Sequence, residues 1–281
     1  MRIGIVGNGY VGQATSLLSN KDTDLYIYDI DPDKRVPNKD LSLQSVANDC
    51  DIVFVCVPTP MDMSTGKCHT NIVESVVSDL KNHNSNVNIV VRSTVPVGLC
   101  DSLNVNFMPE FLTERNWRND VRTCVDWVVG CSGDDEFQDK VRTLFKYAAR
   151  HNKVNPGFRL HFIGCREAEL CKYARNVFLS TKVSFFNEMH QFCEAAGIDY
   201  ESVRLLTGLD PRIGESHTQV PGPDGKKGFG GTCFPKDTSS LYMQMKNVGV
   251  EPIVIDAIIK RNQTIDRPEE DWKDDKGRAV I

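Results

Sequence analysis

The chain has 281 residues, enough for two domains with separate cores, and its 40% hydrophobic and 25% charged content is that of a globular protein. A formal net charge of -5 excludes a binder held to nucleic acid by a broad basic surface, and no apolar run is long enough to span a bilayer. Ten cysteines without one Cys-x-x-Cys pair exclude zinc-ribbon and thioredoxin-type sites, and no metal is expected.

Residues 1–6 enter a strand pattern directly, with no secretory-signal architecture, and with the scattered cysteines this sets the expectation of a cytoplasmic protein. Apolar runs at 3–6, 25–28, 52–57, 87–91, 105–108 and 127–129 alternate with helix-compatible stretches. Their apolar residues follow one another and do not alternate with polar ones, Asn88 and Asn106 apart, as suits strands buried on both faces of a parallel sheet. The order predicts an α/β fold, a Rossmann-like doubly wound parallel sheet over residues 1–163.

Gly7-Asn8-Gly9-Tyr10-Val11-Gly12 follows the first run. Glycines there allow a tight turn and close backbone approach, and the helix N-terminus behind them suits a pyrophosphate. Asp29 ends the second run, where a carboxylate accepts from an adenosine ribose and repels a 2′-phosphate, so NAD is expected over NADP. A turn residue before Asp31-Pro32 is the other reading of Asp29. Lys34 and Arg35 lie close by and would suit a phosphate; Lys34 is counted with the cofactor site. Val57-Pro-Thr59-Pro60 and Arg92-Ser93-Thr94-Val-Pro-Val-Gly98 leave the ends of the third and fourth runs, where ligands bind in open α/β sheets, although each also reads as a proline-rich turn. Glu110 and Glu114 follow Pro109 at helical spacing and read equally as a solvated helix face.

From Glu167 to Ala196 there is no glycine or proline, and Leu170, Tyr173, Ala174, Val177, Phe178, Val183 and Phe186 recur at helical spacing before Gly197. The pattern predicts one long helix opening a mostly helical domain over 164–265. Helices at 200–206, 239–246 and 253–262 and a Gly/Pro-rich loop at 210–232 complete it; 266–281 reads as an exposed charged tail, with 278–281 hinting at a strand. Lys172 and Asn176 share a helix face and could hold an oxyanion, or be two solvated residues. In Gly228-Phe-Gly-Gly-Thr-Cys-Phe-Pro-Lys-Asp237 a cysteine stands between a glycine run and a helix start marked by Pro235. A thiol at a helix N-terminus beside Lys236 has surroundings that favour a thiolate; the alternative is a cysteine buried in a loop.

Together these residues resemble the UDP-glucose/GDP-mannose dehydrogenases, nearest to the members that oxidise UDP-glucose. The likeness covers Gly7–Gly12, Val57–Pro60, Ser93–Gly98, Pro109–Glu114, Ala168–Asn176, Lys182–Glu188, Asp210–Gly214 and Gly228–Asp237 in order. It implies an enzyme that oxidises a nucleotide sugar's primary alcohol to the carboxylate in two NAD-dependent steps, UDP-glucose to UDP-glucuronate, through a thiohemiacetal and a thioester on Cys233. By matching position, Lys172 and Asn176 orient the alcohol and steady oxyanions. Asp237 serves proton transfer, and Glu110 and Thr94 hold water or substrate. Thr59, Pro60, Ser93, Thr94, Glu114 and Lys236 join the cofactor site. Phe111, Leu112, Glu114, Arg212, Gly228, Phe229 and Gly230 join the substrate site. A homodimer through the long helix is implied, with Val177, Val183 and Phe186 as its stripe. The chemistry supports a thiolate independently, because an aldehyde has no second hydride to give until a nucleophile makes it tetrahedral.

Two features depart from the family. The expected third α/β domain is matched only by 276–281, as if by its first strand, and the loop to Gly228 is longer than usual, with His217, Lys226 and Lys227 as phosphate candidates. Two other readings stand: a single-step β-hydroxyacid-type dehydrogenase, which also uses a Lys-x-x-x-Asn pair, and a non-catalytic NAD- or nucleotide-sugar-binding subunit.

Overall fold

The apolar runs of the N-terminal half become six strands of a seven-stranded sheet in the order β2-β1-β3-β4-β5-β6-β7. In this computed structural model, which describes residues 1–113 and 116–281, the chain divides into two units: Met1–Thr59 with His69–Lys172, and Pro60–Cys68 with Tyr173–Ile281. The strands are β1 (Arg2–Val6), β2 (Asp24–Tyr28), β3 (Ile52–Val55), β4 (Ile89–Val91), β5 (Asn106–Phe107), β6 (Asp126–Gly130) and β7 (Arg159–Ile163). All neighbours run parallel except β5 and β6, so the sheet departs from the all-parallel expectation at one pairing. Helices α1 (Tyr10–Ser16), α2 (Leu43–Asp49), α3 (Asn71–His83), α4 (Leu99–Ser102), α5 (Trp117–Thr123) and α6 (Asp135–Arg150) accompany it.

Central β3 shows why consecutive apolar residues were needed. Ile52 and Phe54 enter one core, Val53 and Val55 the other, and all four are buried. Strand β7 was not among the expected runs. It lies at the sheet edge with Arg159, His161 and Ile163 exposed between half-buried Leu160 and Phe162, a pattern too polar to stand out.

Helix α7 (Cys165–Ala196) begins in the first unit and from Tyr173 belongs to the second; it runs to Gly197, whose φ of +67° is the left-handed stop that glycine allows. Then come α8 (Tyr200–Gly208), α9 (Phe234–Asn247) and α10 (Ile253–Arg261), the last continued by one π-helical turn, Asn262–Asp266. Val177 and Phe186 of the expected dimer stripe are buried and Val183 half-buried; the large apolar side chains that α7 exposes are Leu170 near its start and then Phe178, Phe185 and Phe192. A step of one residue turns a side chain by about 100°, which separates the two stripes.

Residues 266–281 are not an exposed tail. Trp272, Ala279 and Val280 are buried with Met61, whose N–H donates to Ala279 O at 2.8 Å while Ile281 N–H donates to Met61 O at 2.9 Å. The charge of the segment is spent internally. The buried Arg267 donates through Nε (2.6 Å) and Nη2 (2.7 Å) to Asp271 and through Nη1 (2.7 Å) to Asp224.

Hydrogen bonds from Arg267, then from Lys226, hold the Asp271 carboxyl far below the usual carboxylate range. Unfolded carboxylates titrate near pH 4, so this contribution is complete above about pH 4 and is lost as pH falls towards the folded value. Thermal melts should therefore drop more steeply between about pH 4 and 2 in the native chain than in Asp271→Asn.

Candidate active site

The glycine turn sits at the C-terminal end of β1, where ligands enter open α/β sheets. Gly7 has φ +96°, and a Cβ there would lie 2.6 Å from Cys56 O; a Cβ on Gly12 would lie 2.0 Å from Gly7 O. Above Gly9 a Cβ would meet nothing within 4 Å, leaving the backbone open to a ligand. Asp29 Oδ2 accepts Asn8 N–H at 2.7 Å and Oδ1 accepts Asp31 N–H at 2.9 Å, which fixes the carboxylate at the end of β2 beside the turn. Asn8 Nδ2 donates to Lys34 O at 2.7 Å, while the Lys34 ammonium is exposed beside Asp31. The neighbouring Arg35 is tied to Asp29 O and stacked over Tyr28. An open glycine turn with a fixed carboxylate fits a dinucleotide.

Further along the same sheet end, Ser93 Oγ donates to Val57 O at 2.7 Å, joining the segments after β3 and β4; Thr59 is buried and Thr94 half-buried. Pro60, placed with the cofactor residues by sequence, opens the stretch that clusters with the second unit. The segment after β5 is irregular through residue 113, so Glu110 does not sit on a helix face. Glu110 is buried against Lys172, whose ammonium donates to its backbone oxygen and, at 3.2 Å, to Oε2; Tyr10 OH donates to the same Oε2 at 3.2 Å. Leu112 N–H donates to Oε1, and Phe111 presents its ring 5.9 Å from Lys172 Nζ. Glu114 lies outside the described residues.

The second unit holds the other expected group. Cys233 is the N-cap of α9, half-buried, with Sγ 3.7 Å from Thr232 Oγ1. Pro235 in the first turn explains why α9 begins at Phe234, five residues ahead of the expected start. Asp237 is 1% exposed, and both its oxygens have donors: Lys236 Nζ to Oδ1 at 2.9 Å and Asn176 Nδ2 to Oδ2 at 2.6 Å. Burial works against the Lys236 charge, but Asp237 foremost, then Cys68, Tyr173 and Cys233, hold the ammonium well above the ordinary lysine range. Asp237 thus meets protein donors at both oxygens. Elsewhere burial pushes the Cys56 thiol up to about 11 and the Cys50 and Cys165 thiols up to about 12, away from nucleophilic chemistry.

Gly228 and Gly230 flank Phe229, which is buried. Arg212 is exposed and bound to Asp210, its Nη2 2.5 Å from Oδ2. The phosphate candidates of the long loop are otherwise engaged: Lys226 pairs with Asp271 and Glu269, Lys227 with Glu194, and His217 packs on the Phe234 ring, its pKa lowered by burial and by Lys182. Sequence reasoning passed over Asn262, which is 1% exposed and exchanges two hydrogen bonds with Phe229. Its signal was available, because it continues the buried face of Ile255 and Ile258 and an amide there needs partners. Among the described residues no group of His, Cys, Asp and Glu is arranged to hold a metal, and no helix is long and apolar enough to cross a membrane.

The fold and the glycine turn define a Rossmann-like dinucleotide-binding protein. Residues 34–149 match the NAD binding domain of the UDP-glucose/GDP-mannose dehydrogenase family, and 166–264 match its central domain. The chain belongs to the UDP-glucose/GDP-mannose dehydrogenase family and is an NAD-dependent dehydrogenase. It is 31% identical to a UDP-glucose 6-dehydrogenase of Rickettsia bellii, over 94% of this chain and 67% of that one. Against a UDP-glucose 6-dehydrogenase of Streptococcus pneumoniae the identity is 26%, over 94% and 73%. A solved UDP-glucose dehydrogenase of Pyrobaculum islandicum superposes with a TM-score of 0.78 at 25% identity, covering 93% of this chain and 68% of that one.

Gly12→Ala should lower NAD affinity by at least about tenfold, or 1.4 kcal/mol, in a calorimetric titration, since its Cβ would displace the Gly7 carbonyl.

Proposed function

We propose that the protein oxidises UDP-glucose to UDP-glucuronate in two steps, with Cys233 carrying the second. The observation that bears most weight is a half-buried thiol at the N-terminus of the 14-residue helix α9, in a chain whose family oxidises nucleotide sugars. The curated relatives bear the same activity in their names.

Gly7, Gly9, Gly12 and Asp29 hold the dinucleotide, with Thr59, Ser93 and Thr94 at the same sheet end. When bound, NAD takes up one hydride in each oxidation. In the first, Glu110 accepts the proton of the sugar's primary hydroxyl, and Lys172, hydrogen-bonded to that carboxylate, steadies the oxygen charge. In the second, the Cys233 thiolate forms a C–S bond to the aldehyde carbon and the carbonyl π pair moves to oxygen. Asn176 donates to that oxygen with the amide hydrogen not given to Asp237. The carbonyl re-forms as that carbon gives up its hydride, which leaves a thioester; water then adds to it, the C–S bond breaks, and thiolate, carboxylate and two protons are released. Asp237, held by the Asn176 amide and the Lys236 ammonium, serves proton transfer and the activation of that water.

The matched segments support an NAD-binding domain over 1–163 and a central domain over 164–265. A homodimer in the cytoplasm completes the reading. Its motive is the stripe of Phe178, Phe185 and Phe192, exposed by 66%, 52% and 61% at a spacing of seven along α7.

Assayed with UDP-glucose, the native chain should yield about two NADH per sugar, and Cys233→Ala about one with an aldehyde trapped by semicarbazide. Full turnover in Cys233→Ala would instead establish a single-step dehydrogenase of the β-hydroxyacid type, and NAD binding without turnover a non-catalytic subunit. Light scattering at micromolar concentration should give the mass of two chains, falling to one in Phe185→Asp; a native mass of one chain removes the dimer.

A further inference from the structure

The loop that leads to Cys233 is held by the π-helical turn at the end of α10. Asn262 Oδ1 accepts Phe229 N–H at 2.8 Å, and its Nδ2 donates to Phe229 O at 2.9 Å, the paired bonds a neighbouring strand would make. Five residues on, Arg267 packs its guanidinium over Gly230, where a Cβ would fall 2.4 Å from Cζ; a Cβ on Gly228 would fall 2.3 Å from Asn262 Oδ1. Both glycines are therefore required by what lies against them. In an α-helix, residues five apart point about 140° away from each other. The wider turn, closed by Arg267 N–H to Asn262 O at 2.8 Å, narrows that angle, so that both side chains reach one loop. Arg267 is held from behind by Asp271 and Asp224, which lock the fork of the guanidinium.

We propose that Asn262 and Arg267 are positioning residues that fix the Phe229–Gly230 backbone and, through the three residues that follow, the placement of the Cys233 thiol. The inference rests on the reading of Cys233 as the nucleophile. Neither side chain need touch substrate. Their effect is to keep the thiol within the narrow range of positions from which it can reach a carbonyl carbon; a displacement on the order of 1 Å in such a geometry costs up to about a hundredfold in rate.

The split between the two oxidations tests this. Arg267→Lys keeps the charge between Asp224 and Asp271 but loses the planar fork, and Asn262→Ala removes both bonds to the Phe229 backbone. Each should slow thioester formation by about tenfold or more while the first oxidation and the KM for NAD stay within about twofold, so that NADH per sugar falls from about two towards one and aldehyde is released. Asn262→Ala combined with Arg267→Lys should cost less than the sum of the two, since both act on the same Phe229–Gly230 backbone. Native stoichiometry in both single variants overturns the proposal, and so does a parallel loss of both oxidations with a lowered melting temperature, which marks plain destabilisation. Failure of the underlying reading shows separately, as full turnover in Cys233→Ala.

Discussion

A carboxylate shut away from water governs the second unit. Leaving Asp237 ionised at 1% exposure without partners would cost several kcal/mol. The chain answers with two donors, Lys236 from the next position and Asn176 from α7. That requirement sets which face of α9 turns to α7, and it brings Tyr173 OH within 3.1 Å of Ser240 Oγ on the same seam. It also fixes the first turn of α9, at whose N-cap Cys233 stands. The group that would react is thus half-buried at the rim of an arrangement whose centre is closed.

The first unit meets a different constraint with the same economy. Its parallel strands are buried on both faces, which leaves function to the loops at their C-terminal ends. There Glu110, Lys172 and Tyr10 form a buried polar cluster and Ser93 ties two strand ends together. Across the sheet end from the open glycine turn, the chain therefore supplies prearranged donors and acceptors, with little side-chain freedom left to lose.

Most of this was legible in the residues. The consecutive apolar runs gave the strands of the sheet interior, the uninterrupted stretch before Gly197 gave α7 to within two residues of its start, and Pro235 marked the first turn of α9. Three things escaped, each for a physical reason. Strand β7 has only one covered face at the sheet edge, so its Arg and His weaken the pattern. The stretch 266–281 looked solvated because its charges are counted without their partners; Arg267 and Lys226 together balance Asp224 and Asp271, and Trp272 and Val280 go inside. On α7, Val177 and Phe186 lie beside Phe178 and Phe185 in sequence, and only packing decides which of two adjacent stripes faces in.

The π turn carries an implication for how the sequence tolerates change. Its five residues, Asn262 to Asp266, contain one more than an α-helical turn would close upon. Excising any single residue between them would let the helix relax to its ordinary pitch and swing Arg267 round by about a quarter of a circle or more, off Gly230. The identities of Gln263, Thr264 and Ile265 matter less here than their number, so that family members could vary them freely while an indel at this point would be poorly borne.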